Sequence, residues 1–413
     1  MLKKLSGLLV AIFTIIVVWA PAAEAYTLEE GALFNDPTGE FAAKFELMSH
    51  VQDTIDNTPK GEAILISTYL LDRRVVVDKL VKASNRGVSV QVVLDRAIDS
   101  EESQRLEATL NADNDDPTVD PTPEDQTDPL PTGLIRGGPD RSFTKKCTKS
   151  CRGDGGNMHA KFYAFSRSGT SSNIVMISSA NLNAGGALAG YNDLYTMVER
   201  PTTYQKFAAI HNEMVDDTPR DDAYQTHTEG AFESRFFPMR DATRDTDPVM
   251  RDLSRVHCRG TTGGTGRDGR TTINVSMFYW AGERGMWITN RLLKLQSEGC
   301  IVRVIYGAPS NEVAAVLRHA AHQGRIDLYD SRVHTDGDGI VDIRVHAKYM
   351  IISGWFGKDT SARHVFTGSQ NWVGGSLTRG DEVMLAIENG AAYGAYLKNW
   401  SNVARTGARK IGG

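Results

Sequence analysis

The sequence predicts an α/β protein of two similar lobes, each a mixed β-sheet flanked by helices, with its site between them. Three observations carry this. A short phrase occurs twice, Met-His-Ala-Lys at 158–161 and Val-His-Ala-Lys at 345–348, placing His159 and Lys161 against His346 and Lys348. Each copy is followed by an asparagine, Asn181 or Asn371, and then by a polar pair, Asn192-Asp193 or Asp381-Glu382. The spacing hardly drifts: the histidines stand 187 residues apart and the asparagines 190. Upstream of each phrase an apolar run, a helical run, a glycine and a second apolar run recur, with Gly87 matching Gly299. Two long units of this kind can bury their faces only against each other, unlike the many short units of a solenoid.

The first 25 residues read as a secretory signal. Lys3 and Lys4 precede an apolar run at 8–19, and Ala23-Glu24-Ala25 offers a small-x-small cleavage site before Tyr26. The run falls short of the roughly 20 residues a membrane span needs. The expectation is therefore an exported, extracellular, monomeric chain with a first lobe at 26–217 and a second at 218–413. The four cysteines agree with an oxidising compartment. Three pairings are possible, and Cys147–Cys151 with Cys258–Cys300, one bond in each half, is the expected one. No CxxC spacing points to a metal site, and no cofactor is expected.

In order, apolar residues at helical spacing predict a helix over 40–55. A buried strand at 63–71, a helix at 75–84 and a strand at 88–94 form a βαβ unit, whose strands must be parallel. The stretch 111–132, rich in Asp, Pro and Thr, cannot build a core and opens an insertion running to about 157. The basic stretch 141–152 reads as a surface loop or a rim for an anionic substrate. Alternation over 159–165 predicts a strand with His159, Lys161 and Tyr163 on one face. Strands at 174–177 and 194–198 and a helix at 204–215 close the first half, and the polar stretch 218–228 is read as the link. The second half repeats the plan, with strands at 272–277, 301–306, 345–352, 364–367 and 383–387 and helices at 286–296, 312–322 and 391–403. Asp336-Gly337-Asp338-Gly339 lacks the full ligand pattern of a calcium loop and reads as a polar turn.

Two imidazoles, two ammoniums and two amides converging from two lobes make a receptor for a phosphate. Lysine and amide donors stabilise phosphoryl charge, one imidazole can attack phosphorus, and the other can protonate the leaving oxygen. Carboxylates from the trailing pairs, Glu382 and Asp193, are expected to hold the ring nitrogens that face away from the substrate.

This constellation resembles the phospholipase D superfamily, whose signature is His-x-Lys with a later Asp, then Gly-Ser-x-Asn and an acid. The resemblance covers the chain from Tyr26 onward. It implies His159 as nucleophile, His346 as general acid and then base, Lys161, Lys348, Asn181 and Asn371 as phosphate ligands, Glu382 as an orienting group, and no metal. Ser166 and Ser353 stand where the signature has Asp, and Asn192 stands opposite Glu382 in the repeat. A formal net charge of −5 and a pI near 6.1 differ from a basic nucleic-acid binder. The reading is thus cleavage, or transfer, of a phospholipid headgroup at a membrane surface. A nuclease of the same superfamily and a silent lipid- or partner-binding relative are the alternatives. Trp355 and Phe356, between Gly354 and Gly357, are read either as an outward loop that touches the lipid or as rings buried between the lobes.

Overall fold

The computed structural model describes residues 25–97, 99–112, 141–334, 338 and 340–412. The leader ahead of Ala25, the stretch 113–132 and most of the turn at 336–339 lie outside the described residues.

Two sheets hold the chain. In the first, strands run in the order Gly31–Phe34, Asp193–Met197, Ser171–Ser178, Phe162–Ser168, Ala63–Thr68, Ser89–Asp95, Phe143–Cys147. The second repeats six of these positions as Val383–Glu388, Asp359–Gly368, Lys348–Phe356, Thr272–Trp280, Ile301–Pro309 and Asp327–Asp330. The parallel pairs fall where a helix crosses over: Ala63–Thr68 with Ser89–Asp95, joined by Arg74–Asn85, and Thr272–Trp280 with Ile301–Pro309, joined by Gly282–Ser297.

Alternation along the strands sorts side chains between two layers. Ile64, Ile66, Val90 and Val92 pack outward under helices Phe41–Asp56 and Arg74–Asn85. Leu65, Val93, Phe162 and Ala164 face inward, in one cluster with Tyr349, Ile351, Val365 and Leu385 of the second sheet. Helices Pro201–Asp216 and Gly390–Thr406 contribute Phe207, Ile210, Tyr396 and Trp400 to that cluster. The core between the lobes is thus continuous with the core of each.

Several expectations need adjusting. The first sheet gains two edge strands beyond the five expected, Gly31–Phe34 and, in the basic stretch, Phe143–Cys147; part of the stretch read as a link is one arm of a hairpin, Gln225–Glu229 with Phe232–Phe236, that extends the second sheet. The predicted strand from 159 begins only at Phe162. Both expected disulfides are formed, Cys147–Cys151 and Cys258–Cys300. Among the described residues no helix is long and apolar enough to cross a membrane.

Candidate active site at the seam between the lobes

The histidines sit outside the sheets because their amides are paired across the lobes. His159 N donates to Asp381 O at 3.0 Å, and His346 N donates to Tyr191 O at 2.9 Å. Arg344–Val345 pairs in parallel with Gly190–Tyr191, and Met158 bridges Asp381 in the same sense. Each His-x-Lys phrase is therefore clamped by the segment carrying the other half's polar pair.

That exchange extends to the side chains. His159 Nδ1 donates to the Glu382 carboxylate, 3.0 Å from both oxygens. His346 Nδ1 donates to Asn192 Oδ1 at 2.7 Å. The Asn192 amide orientation is fixed by its Nδ2, which donates to Gly186 O at 3.0 Å and Gly190 O at 2.9 Å. With Nδ1 protonated in both rings, Nε2 is the reactive nitrogen of each. Ser369 Oγ donates to Glu382 Oε2, and its repeat partner Ser179 reaches Asn192 Oδ1 at 3.4 Å.

Asp193, expected to orient a histidine, does not. It accepts from Thr367 Oγ1 and from Tyr396 OH at 2.8 Å, and is held in the core between the lobes. Strand alternation sends adjacent residues to opposite faces, so only one member of each polar pair can reach the site. That member is Asn192 in one half and Glu382 in the other.

Lys161 Nζ donates to His159 O at 2.6 Å, and Lys348 Nζ donates to His346 O. Asn371 Oδ1 accepts from Tyr279 N at 3.3 Å, whereas Asn181 Oδ1 is buried with no hydrogen-bond partner. The loop bearing Asn371 is braced by Arg284, which donates to Asn371 O, Gln370 Oε1 and both oxygens of Asp247.

Two aromatic rings escaped the sequence reading. Tyr69 lies 5.1 Å from the His159 ring with Lys161 Nζ 5.4 Å above it, and Phe278 lies 4.6 Å from His346 with Lys348 Nζ at 5.0 Å. Tyr69 follows the first βαβ strand of its half, and Phe278 lies near the end of the matching strand. The alignment of Ile64 with Ile273 carries straight on to Tyr69 and Phe278, so the repeat offset could have found them.

Trp355 and Phe356 are a correction. Phe356 is 3% exposed, packed 4.3 Å from the His364 ring beneath the Arg255 guanidinium. Trp355 stacks on His257 at 4.6 Å, and its Nε1 donates to Gly357 O. They end the strand that Lys348 begins, roughly 25 Å away at a strand's rise per residue. Gly354, at φ 137°, serves a bulge where a Cβ would meet Thr271 Oγ1 at 2.5 Å. The two serines that replace Asp also lie away from the site: Ser166 Oγ accepts from Ala63 N and Ser353 Oγ from Gly266 N.

Burial lowers the His159 pKa, opposed by Glu382 and reinforced by Lys161 and Lys348. Burial, then Lys348 and Lys161, hold His346 well below its ordinary value. Burial brings Lys161 down to about 7, opposed by Glu382 and Asp95, and holds Lys348 well below the usual lysine range. Each of these shifts penalises positive charge in the empty pocket, so an anion should bind together with protons. Sulfate keeps a constant charge between pH 6 and 9, so its affinity reads the protein's protons alone. Its Kd is expected to rise as pH passes about 7 and Lys161 loses its proton, approaching ~10-fold per pH unit for one linked proton. Calorimetric titrations across this range check it, and a Kd that is flat or falls with pH would refute it.

Fold and site together define a two-lobed phosphoryl-handling enzyme. The chain belongs to the phospholipase D-like family: it matches the family described as "Cardiolipin synthase, PLD-like domain" over residues 51–215 and 268–403. The superfamily's members are phosphodiesterases and phosphotransferases, and this protein is an enzyme of that general kind. Among solved structures it is similar to phosphatidylserine synthase of Haemophilus influenzae Rd KW20, with a TM-score of 0.54 and 13% identity over 89% of this chain and 86% of that one. It is also similar to polyphosphate kinase of Porphyromonas gingivalis, with a TM-score of 0.56 and 12% identity over 93% of this chain, which spans 48% of the kinase's length. No curated protein matches the chain.

Proposed function

We propose that this protein is a secreted phosphodiesterase that cleaves phospholipid headgroups through a phosphohistidine. The observation that carries the reading is the pair of histidines each held at Nδ1, one by a carboxylate and one by a neutral amide. A ring that attacks phosphorus gains positive charge as the N–P bond forms, which suits His159 beside Glu382. A ring that starts protonated and gives its proton away suits His346 beside neutral Asn192.

His159 Nε2 attacks phosphorus, the P–O bond to the headgroup breaks, and the His346 imidazolium gives its Nε2 proton to the departing oxygen. Binding of the phosphodiester anion raises the proton affinity of His346, which burial and then Lys348 and Lys161 depress. His346 then takes a proton from water. The resulting nucleophile attacks phosphorus, and the P–N electron pair returns to His159. An alcohol in place of water gives transfer instead of hydrolysis. Lys161, Lys348, Asn181 and Asn371 stabilise charge on the phosphoryl oxygens.

A small pocket beside Asn181 is lined largely by apolar side chains such as Leu47, Met48, Val51, Leu182 and Leu194. A formal net charge of −5 favours a lipid over a polyanionic nucleic acid. The two disulfides support an oxidising, extracellular compartment.

The test offers the oxidised protein vesicles of phosphatidylcholine and phosphatidylglycerol and, separately, plasmid DNA, all with EDTA. Headgroup release with intact DNA is expected. Nicked DNA without headgroup release would establish a nuclease in its place.

A further inference from the structure

The two half-sites differ at one further matched pair. In the first, the neutral Asn157 side chain neighbours the Tyr69 hydroxyl beside His159. The repeat places Arg344 where Asn157 stands, since 344 and 157 share the 187-residue offset of the histidines, and Phe278 where Tyr69 stands. Phe278 has no group to accept a hydrogen bond. The Arg344 guanidinium lies over its ring at 5.2 Å, while the same ring contacts His346 at 4.6 Å and Lys348 Nζ at 5.0 Å.

Among the described residues no carboxylate lies within ion-pair reach of Arg344, and its guanidinium makes no hydrogen bond, although it is half-buried. The carboxylates of the site instead gather in the other half. Glu382 serves His159, and the buried Asp95 accepts from Met158 N at 2.8 Å. Their repeat counterparts near His346 are Asn192 and Gly307, and a Cβ on Gly307 would meet Val345 O at 2.3 Å. Among the described residues, the His346 side therefore holds a guanidinium with a fork of unused donors, two residues from the ring, and no acid to neutralise it.

We infer that Arg344 binds a second anionic group of the substrate on the leaving-group side, so that the preferred headgroup carries a phosphate or carboxylate of its own. This rests on the headgroup-cleaving reading above, in which His346 protonates the departing oxygen. A planar guanidinium stacked on an aromatic ring is preorganised for two parallel hydrogen bonds to such a group.

The test compares short-chain phosphatidylglycerol with phosphatidylglycerophosphate, which differ only by the second phosphate. Wild-type protein is expected to favour the phosphorylated headgroup in kcat/KM by on the order of 10- to 100-fold. Arg344→Gln should erase that ratio, and Arg344→Lys should restore part of it, keeping the charge without the fork. The double change Arg344→Asn with Phe278→Tyr copies the Asn157–Tyr69 pair that the first lobe already accommodates, and should also erase the ratio. A wild type with no preference, or variants that keep it, would overturn the inference. A second arm measures pyrophosphate against inorganic phosphate by calorimetry, with about tenfold tighter pyrophosphate binding expected in wild type and lost in Arg344→Gln. If DNA were cleaved and neither lipid were, the lipid reading would fall. The pyrophosphate arm would still decide whether Arg344 takes a second anion, with equal binding in wild type ruling it out.

Discussion

Replacing His159 by alanine is expected to lower turnover by ~10⁴-fold or more and to abolish the acid-labile, alkali-stable phosphoryl adduct on the chain. The magnitude follows from removing the atom that forms the bond to phosphorus, which no neighbour can replace. Lys161 Nζ is engaged with His159 O, and His346 is held on the other side of the seam by Asn192. His346→Ala should behave differently. It removes the proton donor, so turnover slows, but a substrate with a good leaving group should still label the peptide carrying His159. Quenched-flow labelling followed by peptide mapping separates the two. Label on His346 in wild type, surviving His159→Ala, would reverse the assignment of nucleophile and acid.

The second large effect is expected at Glu382. Glu382→Gln keeps the shape but presents an amide that can offer N–H to His159 Nδ1, favouring the wrong tautomer and removing the charge that steadies the ring. A loss of on the order of 10³- to 10⁴-fold in kcat is expected. Asn192→Ala, at the matching position, removes only a neutral acceptor and should cost roughly 10- to 100-fold. Steady-state kinetics on a soluble short-chain substrate, with circular dichroism to confirm folding, measures both. If Asn192→Ala proved the more damaging, His346 would be the ring that gains charge.

Much of this was legible because the chain repeats itself. The buried strands and their crossover helices followed from periodicity, and the histidines, lysines, asparagines and Glu382 from the offsets of 187 and 190 residues. The edge strands were not legible. Phe143–Cys147 carries two lysines within its five residues, and Gln225–Glu229 is polar throughout, because an edge strand need bury only part of its surface. Asp193 was misplaced because its charge was weighed above spacing: the offset of 190 pairs Asn192, not Asp193, with Glu382. Trp355 and Phe356 misled for a different reason. Closeness to a motif in sequence becomes distance once a strand of nine residues lies between.

The crossing of partners between halves bears on how such a site could arise and diverge. Two identical subunits meeting across a true twofold axis would have to give both histidines the same companion, carboxylate or amide. Joined in one polypeptide, the halves are free of that constraint, and each position of the duplicate can drift alone. Glu382 against Asn192, Tyr69 against Phe278 and Asn157 against Arg344 are the record of that freedom. One covalent chain thus lets two copies of the same cradle hold different companions for their histidines.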